Sequence, residues 1–176
     1  MSMRSYFVNG FGFATDAITD ANIIRFIKNH IDNGSYTSVL YEDEIKIIKN
    51  ISENDIADME AMSQDFISTE EFAEKYEELC DALSKISEFD IDYNRCLDIV
   101  ANLIGGELGI RLSYQYDNDD CIGVACIMLP QCMPWDYTET ERQLTMKQFC
   151  TDLEPYLAEL GIGDHKCEDL EVEYYG

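Results

Sequence analysis

The chain is poor in basic residues. Its 176 residues include 12 Lys and Arg but 36 Asp and Glu, so the formal net charge is −24 and the pI is about 4.1. A field of this sign repels nucleic acid and anionic lipid and attracts basic surfaces. We therefore expect no direct binding to DNA, RNA or a membrane, and we expect the partner to be a basic protein.

Long apolar runs are also missing. The sequence has no span of 18 apolar residues, and the residues after Met1 lack the basic and apolar regions of a signal peptide. The seven cysteines are odd in number and irregularly spaced, with no CxxC pair. This pattern indicates reduced, mostly buried thiols and excludes a disulfide framework. We expect a cytosolic protein that needs no metal to fold.

Histidines are scarce, and no catalytic constellation stands out. His30 falls in the last turn of a predicted helix, where a partner for the helix dipole is expected. His165 and Cys167 are too short a pair to identify a metal site or a thiol dyad. Residues 90–94 depart from the calcium loop of an EF-hand, because Arg95 replaces its glycine and Ala101 its glutamate. We expect no catalytic residue, no metal and no cofactor.

Apolar periodicity predicts an α+β fold, with a small antiparallel or mixed sheet of about four strands packed with several helices. The predicted strands are residues 6–8, 110–116, 121–129 and 170–174. Residues 121–129 are apolar on both faces, so we expect them to be central and to form a hairpin with 110–116. The last strand is expected beside the first strand or the hairpin. At residues 9–13 the GxG lacks a third glycine, since position 15 is Thr15, and a turn or bulge is expected.

Four helices are predicted outside the most acidic stretch. Thr19 or Asp20 caps the first, over residues 20–31. Residues 38–50 form a second helix, although residues 45–51 would also suit a strand. A third covers residues 93–103 and stops at Gly105-Gly106. A fourth begins at Thr145 and ends at Gly161. Trp135, the only tryptophan, lies in a loop over residues 130–137.

Residues 52–92 hold fourteen acids against two lysines. Ser52 is predicted to cap one helix, with Ile51 and Ile56 as its hydrophobic staple, and Ser68 opens a capping box that starts another. We therefore predict one α+β domain over residues 1–176, with an acidic helical insertion or subdomain at 52–92.

The predicted helix that begins at Ser68 carries its acidic and apolar residues on different faces. Its apolar residues lie within about 80° of arc on a helical wheel, whereas most of its acids lie on the opposite side. Two or so carboxylates per 5.4 Å turn approach the linear charge density of duplex DNA, about one per 1.7 Å. The candidate partner-binding residues are Glu70, Glu71, Glu74, Glu77, Glu78 and Asp81, with Asp117, Asp119 and Asp120 of an acidic turn.

The small size, reduced cysteines, low pI and carboxylate-faced helices resemble the DNA-mimicking inhibitors carried by phages and mobile elements, notably type II-A anti-CRISPR proteins. Residues 6–13 and the ending from Leu160-Gly161-Ile162 to Tyr175-Gly176 are also similar to proteins of Firmicutes phages and prophages. The resemblance implies a Cas9 inhibitor that acts in the bacterial host cytosol. It assigns no role to any single residue.

Three functions follow as hypotheses. The leading one is a non-enzymatic inhibitor that binds a bacterial nucleic-acid-processing protein, with Cas9 or its guide-RNA complex as the leading candidate, through a DNA-mimicking face. The alternative is an acidic structural or adaptor protein without mimicry, which makes its contact through the apolar loop around Trp135. The third is a metal-dependent hydrolase built from scattered acids.

Overall fold

The computed structural model of the protein describes residues 5–34, 40–64, 93–116 and 125–175. In these ranges the helices are α1 (Asp20–Asp32), α2 (Glu42–Asn50), α3 (Glu53–Gln64), α4 (Tyr93–Leu108), α5 (Glu139–Gln143) and α6 (Met146–Glu159), and the strands are β1 (Ser5–Ala14), β2 (Ser113–Gln115), β3 (Cys126–Pro130) and β4 (Glu168–Tyr175). The chain divides into two compact units. The sheet unit is Met1–Ile18 with Ile104–Gly176, and the helical unit is Thr19–Leu103.

The sheet unit contains a four-stranded sheet in the order β2-β3-β1-β4. Each neighbouring pair is antiparallel, which confirms the α+β prediction. β3 lies between β1 and β2, so the expected central position and the antiparallel pairing of the two predicted hairpin strands are confirmed. β4 pairs with β1, which settles the place of the last strand.

The two glycines of β1 lie inside a continuous strand, so the turn or bulge predicted for residues 9–13 is wrong. A Cβ added at Gly12 would overlap the backbone oxygen of Ile127, and one added at Gly10 would overlap the Met128 side chain. Met128 is fully buried on this face of the sheet, in a cluster with Cys126, Leu170 and Val172. Close packing against β3, and not turn geometry, requires glycine at both positions.

The opposite face of the sheet packs against α6. The rings of Phe11 and Phe149 have centroids 5.8 Å apart, and Phe149, Leu153 and Leu157 are the buried residues of the helix. Thr145 caps α6, because its Oγ1 accepts a hydrogen bond from the backbone N of Gln148 at 3.2 Å. Gly161, with φ 77°, follows the end of the helix. Both predicted ends of this helix are therefore confirmed.

In the helical unit, α1 packs against α2 and α3. The predicted cap and apolar stripe of α1 are confirmed, since Thr19 Oγ1 accepts from the backbone N of Asn22 at 3.3 Å and the stripe is buried. Residues 42–50 form a helix, which decides between the two predictions for this segment. Ser52 Oγ accepts from the backbone N of Asp55 at 3.2 Å, and this confirms the predicted start of α3.

α4 is longer than predicted, and the stop at Gly105-Gly106 is wrong. The helix continues to Leu108, and Gly109, with φ 68°, follows its end. The backbone N of Ile110 then donates to the oxygen of Gly105 at 2.9 Å, as in a Schellman motif. Gly105 packs closely against the backbone that follows the helix, because an added Cβ would lie 2.7 Å from the Ile110 oxygen.

The second predicted acidic helix and the acidic turn at Asp117, Asp119 and Asp120 lie outside the described residues. The domain prediction, with its acidic subdomain at 52–92, depends on that segment and stays a prediction. Of the acidic stretch at residues 52–92, the structure describes the first helix, α3, which carries Glu53 and Asp55 in its first turn.

Candidate functional site

None of the nine predicted partner-binding residues is described. Glu70, Glu71, Glu74, Glu77, Glu78 and Asp81 belong to residues 65–92, and Asp117, Asp119 and Asp120 belong to residues 117–124. The DNA-mimicking face therefore stays a prediction. The candidate site that the described residues do build lies elsewhere, in the sheet unit.

Four of the described cations hold the fold together. Arg25 pairs with Glu60 at 2.8 Å, Lys28 with Glu53 at 3.4 Å, Arg95 with Glu44 at 3.0 Å, and Arg111 with Glu141 at 2.7 Å. Glu44 and Glu141 are buried, so these two carboxylates do not contribute to the charged surface. These four cations are therefore paired within the protein, and with 12 Lys and Arg for 36 Asp and Glu the chain keeps a large excess of negative charge.

Strand β4 concentrates such acids. Its sequence alternates apolar Leu170, Val172 and Tyr174 with Asp169, Glu171 and Glu173. Leu170 and Val172 are buried, whereas Asp169 and Glu171 are exposed. Within the described ranges, no cation forms an ion pair with a carboxylate of β4. The strand thus presents negative charge on the face of the sheet that carries Phe11.

Glu141 fixes the loop that follows β3. One carboxylate oxygen accepts from the backbone N of Arg111 at 2.8 Å, and the other from Arg111 Nη2 at 2.7 Å and from the backbone N of Thr138 at 2.8 Å. The bonds from the Arg111 guanidinium lower the pKa of Glu141 to about 2. They also raise the pKa of Arg111 above its ordinary value. This carboxylate is therefore a charged structural anchor at neutral pH.

Two arginines, Arg111 and Arg142 of α5, hold the loop at residues 131–137. Arg111 Nη2 donates to the backbone oxygen of Asp136 at 2.6 Å, and Arg142 Nη2 donates to that of Trp135 at 3.2 Å. At the start of the loop the backbone N of Gln131 donates to the oxygen of Asn9 at 2.7 Å. The loop is pinned at several points, although Trp135 is 71% exposed.

A groove of about 960 Å³ lies beside this loop. The sheet supplies one side of it through Asn9 and Phe11 of β1, Leu129 of β3, and Asp169 and Glu171 of β4. Register explains why these residues meet, since Asn9 lies opposite Glu171, and Phe11 opposite both Asp169 and Leu129. Residues directly across an antiparallel ladder project from the same face.

The other side of the groove comes from the loop and the two short segments after it. Pro134 and Tyr137 belong to the loop, Arg142 to α5, Leu144 to the link between α5 and α6, and Met146 is the first residue of α6. Met146 is 50% exposed. The groove is therefore lined by two acids of β4 and by apolar side chains of the other segments, with Arg142 also in its lining.

The described residues offer this groove little catalytic chemistry. Glu141 has both oxygens occupied and a pKa of about 2, so it is a poor proton carrier near neutral pH. His30 is buried elsewhere, with Nδ1 2.9 Å from the Phe26 oxygen. Burial raises the pKa of the Cys167 thiol, which lies beside Cys150, to about 12. Within the described ranges no group of three or more His, Cys, Asp or Glu residues could hold a metal ion.

Sequence reasoning found Trp135 and its loop but missed the groove. The capping box from Thr138 to Glu141 was a usable signal, since Glu141 is the third residue after a threonine cap. It predicts the start of α5, but it does not reveal the partner Arg111.

The five described cysteines are free thiols, two of them buried and three partly so.

Comparisons of this chain with protein-family models, with curated proteins and with solved structures found no match. A search of the described helices for one long and apolar enough to cross a membrane also found none.

Proposed function

We propose that this protein is a non-enzymatic inhibitor that works in the bacterial cytosol and binds a basic, nucleic-acid-processing protein there. Cas9, alone or with its guide RNA, is the leading target. The inhibitor occupies the cleft that otherwise holds phosphates, and it thereby prevents nucleic-acid binding or cleavage.

The distribution of charge is the main support for this proposal. The net charge is −24, and four described cations already pair with acids of the same chain. The surface field is therefore strongly negative, and it steers the protein toward basic clefts and speeds association with them. Residues two apart on β4 lie about 6.7 Å from each other, so Asp169, Glu171 and Glu173 form a regular carboxylate row besides the one predicted on residues 68–88.

A cleavage assay tests the proposal directly. Purified protein in excess over Cas9 and guide RNA should suppress cleavage of target DNA, and a pull-down should recover the complex. Because the attraction is between charges, the concentration needed for half inhibition should rise steeply as salt increases. Full cleavage at a large excess of the protein, together with no recovered complex, would contradict the proposal.

Charge reversal tests which acids make the contact. Changing Glu74, Glu77, Glu78 and Asp81 to lysine should weaken binding at least about tenfold, which corresponds to about 1.4 kcal/mol. The matched control makes the same change in net charge at exposed acids elsewhere, namely Asp16, Glu139, Glu154 and Asp164. Equal losses in the two variants would show that only the overall charge matters.

The adaptor hypothesis is kept as a second candidate because of the loop at residues 131–137. Trp135 and Met133 are 71% and 58% exposed, and exposed aromatic and methionine side chains are enriched where proteins bind each other. This candidate predicts a complex that survives high salt and is lost in Trp135→Ala. A complex that is lost in high salt but kept in Trp135→Ala would exclude it.

A further inference from the structure

The groove of the sheet unit combines two features that together select an occupant. Asp169 and Glu171 on its β4 edge are exposed, and within the described part of the chain neither side chain has an ion-pair partner. Leu144 and Met146 line the same groove and give it apolar side chains. We propose that the groove binds an extended segment of a partner protein in which Lys or Arg alternates with apolar side chains.

The spacing of the two acids sets the spacing of the ligand. Asp169 and Glu171 are two residues apart on one strand, so their carboxylates repeat at about 6.7 Å. A ligand that lies extended along β4 has the same repeat. Its side chains point alternately to the two sides of the groove, so every second residue can be a cation facing β4. The residues between them face Leu144 and Met146.

The groove is held open before a ligand arrives. Arg111 and Arg142 tie the loop at residues 131–137 through the backbone oxygens of Asp136 and Trp135. A preformed site does not need to order this loop on binding, which lowers the entropic cost of association. Asn9 and Gln131 also line the groove, and their side-chain amides can pair with the backbone of an extended peptide.

This inference goes beyond the proposed inhibition and does not depend on it. It concerns a short segment of chain in a groove of the sheet unit, whereas the inhibitor proposal concerns a phosphate-binding cleft. A test with peptides alone therefore leaves the two results independent, because no Cas9 or nucleic acid is present.

The single tryptophan gives the experiment its signal. Trp135 follows Pro134, and Pro134 lines the groove. The backbone oxygen of Trp135 accepts a hydrogen bond from Arg142. The full chain is titrated with a blocked octapeptide of alternating Lys and Leu while tryptophan emission is recorded. We expect a saturable change in emission. Two matched peptides should each bind at least about tenfold more weakly, one with Glu for Lys and one with Ala for Leu.

Two pairs of variants locate the site. Glu171 and Glu168 are both exposed residues of β4, and changing either one to lysine alters the net charge equally. Of the two, only Glu171 lines the groove. Met146→Ser and Met133→Ser remove equally sized apolar side chains, and only Met146 lines it. The proposal expects at least about tenfold loss for the first member of each pair and less than about twofold for the second.

Equal losses within either pair would overturn the proposal, since the peptide would then respond to overall charge or to general surface apolarity. So would an unchanged emission spectrum combined with no peptide bound in equilibrium dialysis. Self-association of the free protein that blocks the peptide, seen by sedimentation, would also overturn it, because the occupant of the groove would then be a second copy of the chain.

Discussion

A single buried carboxylate, Glu141, joins three parts of the sheet unit. It accepts hydrogen bonds from Arg111 just after α4 and from the backbone of Thr138 at the end of the loop, and it lies in α5 itself. Its side chain is fully buried, whereas that of Arg111 is 53% exposed. Loss of the carboxylate would leave the arginine solvated and would remove one of the anchors of the loop, the bond from the backbone N of Thr138.

The variant Glu141→Gln should lower the free energy of unfolding by about 1–3 kcal/mol at pH 7, because one charge-assisted pair and part of the loop anchoring are lost. The folded-state pKa of about 2 lies below the ordinary 4.5. The stabilisation is therefore fully present above about pH 4.5 and is lost as the pH falls toward 2. Urea unfolding at both ends of this range measures the change.

Glu139→Gln is the matched control for this prediction, since Glu139 lies in the same short helix but is exposed. It should change stability by less than about 0.5 kcal/mol at either pH. If the two variants lose the same stability at pH 7, or if the loss in Glu141→Gln does not shrink in acid, the anchoring role of Glu141 is wrong.

At the scale of elements, two glycines in different settings should respond oppositely to the same substitution. Gly12→Ala places a Cβ against the backbone of β3, so it should destabilise the sheet unit by about 2 kcal/mol or more. Gly106→Ala lies within α4, and apart from its chain neighbours and the helix's own backbone no atom of the described residues lies within 4 Å of the new Cβ. It should stabilise the helix by about 0.5–1 kcal/mol.

Thermal and urea unfolding of the two variants measure these opposite changes. A Gly12→Ala protein as stable as the wild type would mean that β3 can move away from β1 at little cost. The packing of β1 against β3 would then not require glycine at position 12.

Elements whose signals are local could be predicted from the sequence. Thr19, Ser52 and Thr145 each cap a helix through an oxygen that accepts from a residue three positions later, and such a motif is legible in one sequence. The roles of Gly10 and Gly12 could not be predicted, because each is set by the backbone of β3, more than 100 residues later in the chain. The groove shares this difficulty, since Asn9 and Glu171 meet only through the sheet register.

At the scale of the whole molecule, uniform negative charge opposes folding. The net charge of −24 makes the compact state repel itself, and dissolved salt screens this repulsion. Raising sodium chloride from about 0.02 M to about 0.5 M at pH 7 should therefore raise the melting temperature by several degrees.

A control for this prediction repeats the salt series near pH 4.1, the pI, where little net repulsion remains to be screened. The gain in melting temperature should there be much smaller. Falling melting temperatures with salt at pH 7 would instead mean that surface ion pairs such as Arg25 with Glu60 outweigh the repulsion.

The pairing of β1 with β4 determines the order in which the chain can fold during synthesis. The helical unit is one continuous stretch, Thr19–Leu103, so it is complete while later residues are still being translated. β1 precedes the helical unit in the chain, yet its neighbours β3 and β4 both follow that unit, with Gly12 opposite Glu168. An aromatic strand with two open edges readily pairs with other chains. The sheet unit therefore closes only after β4 has been translated, and a nascent chain arrested before β4 leaves one edge of β1 open to aggregation.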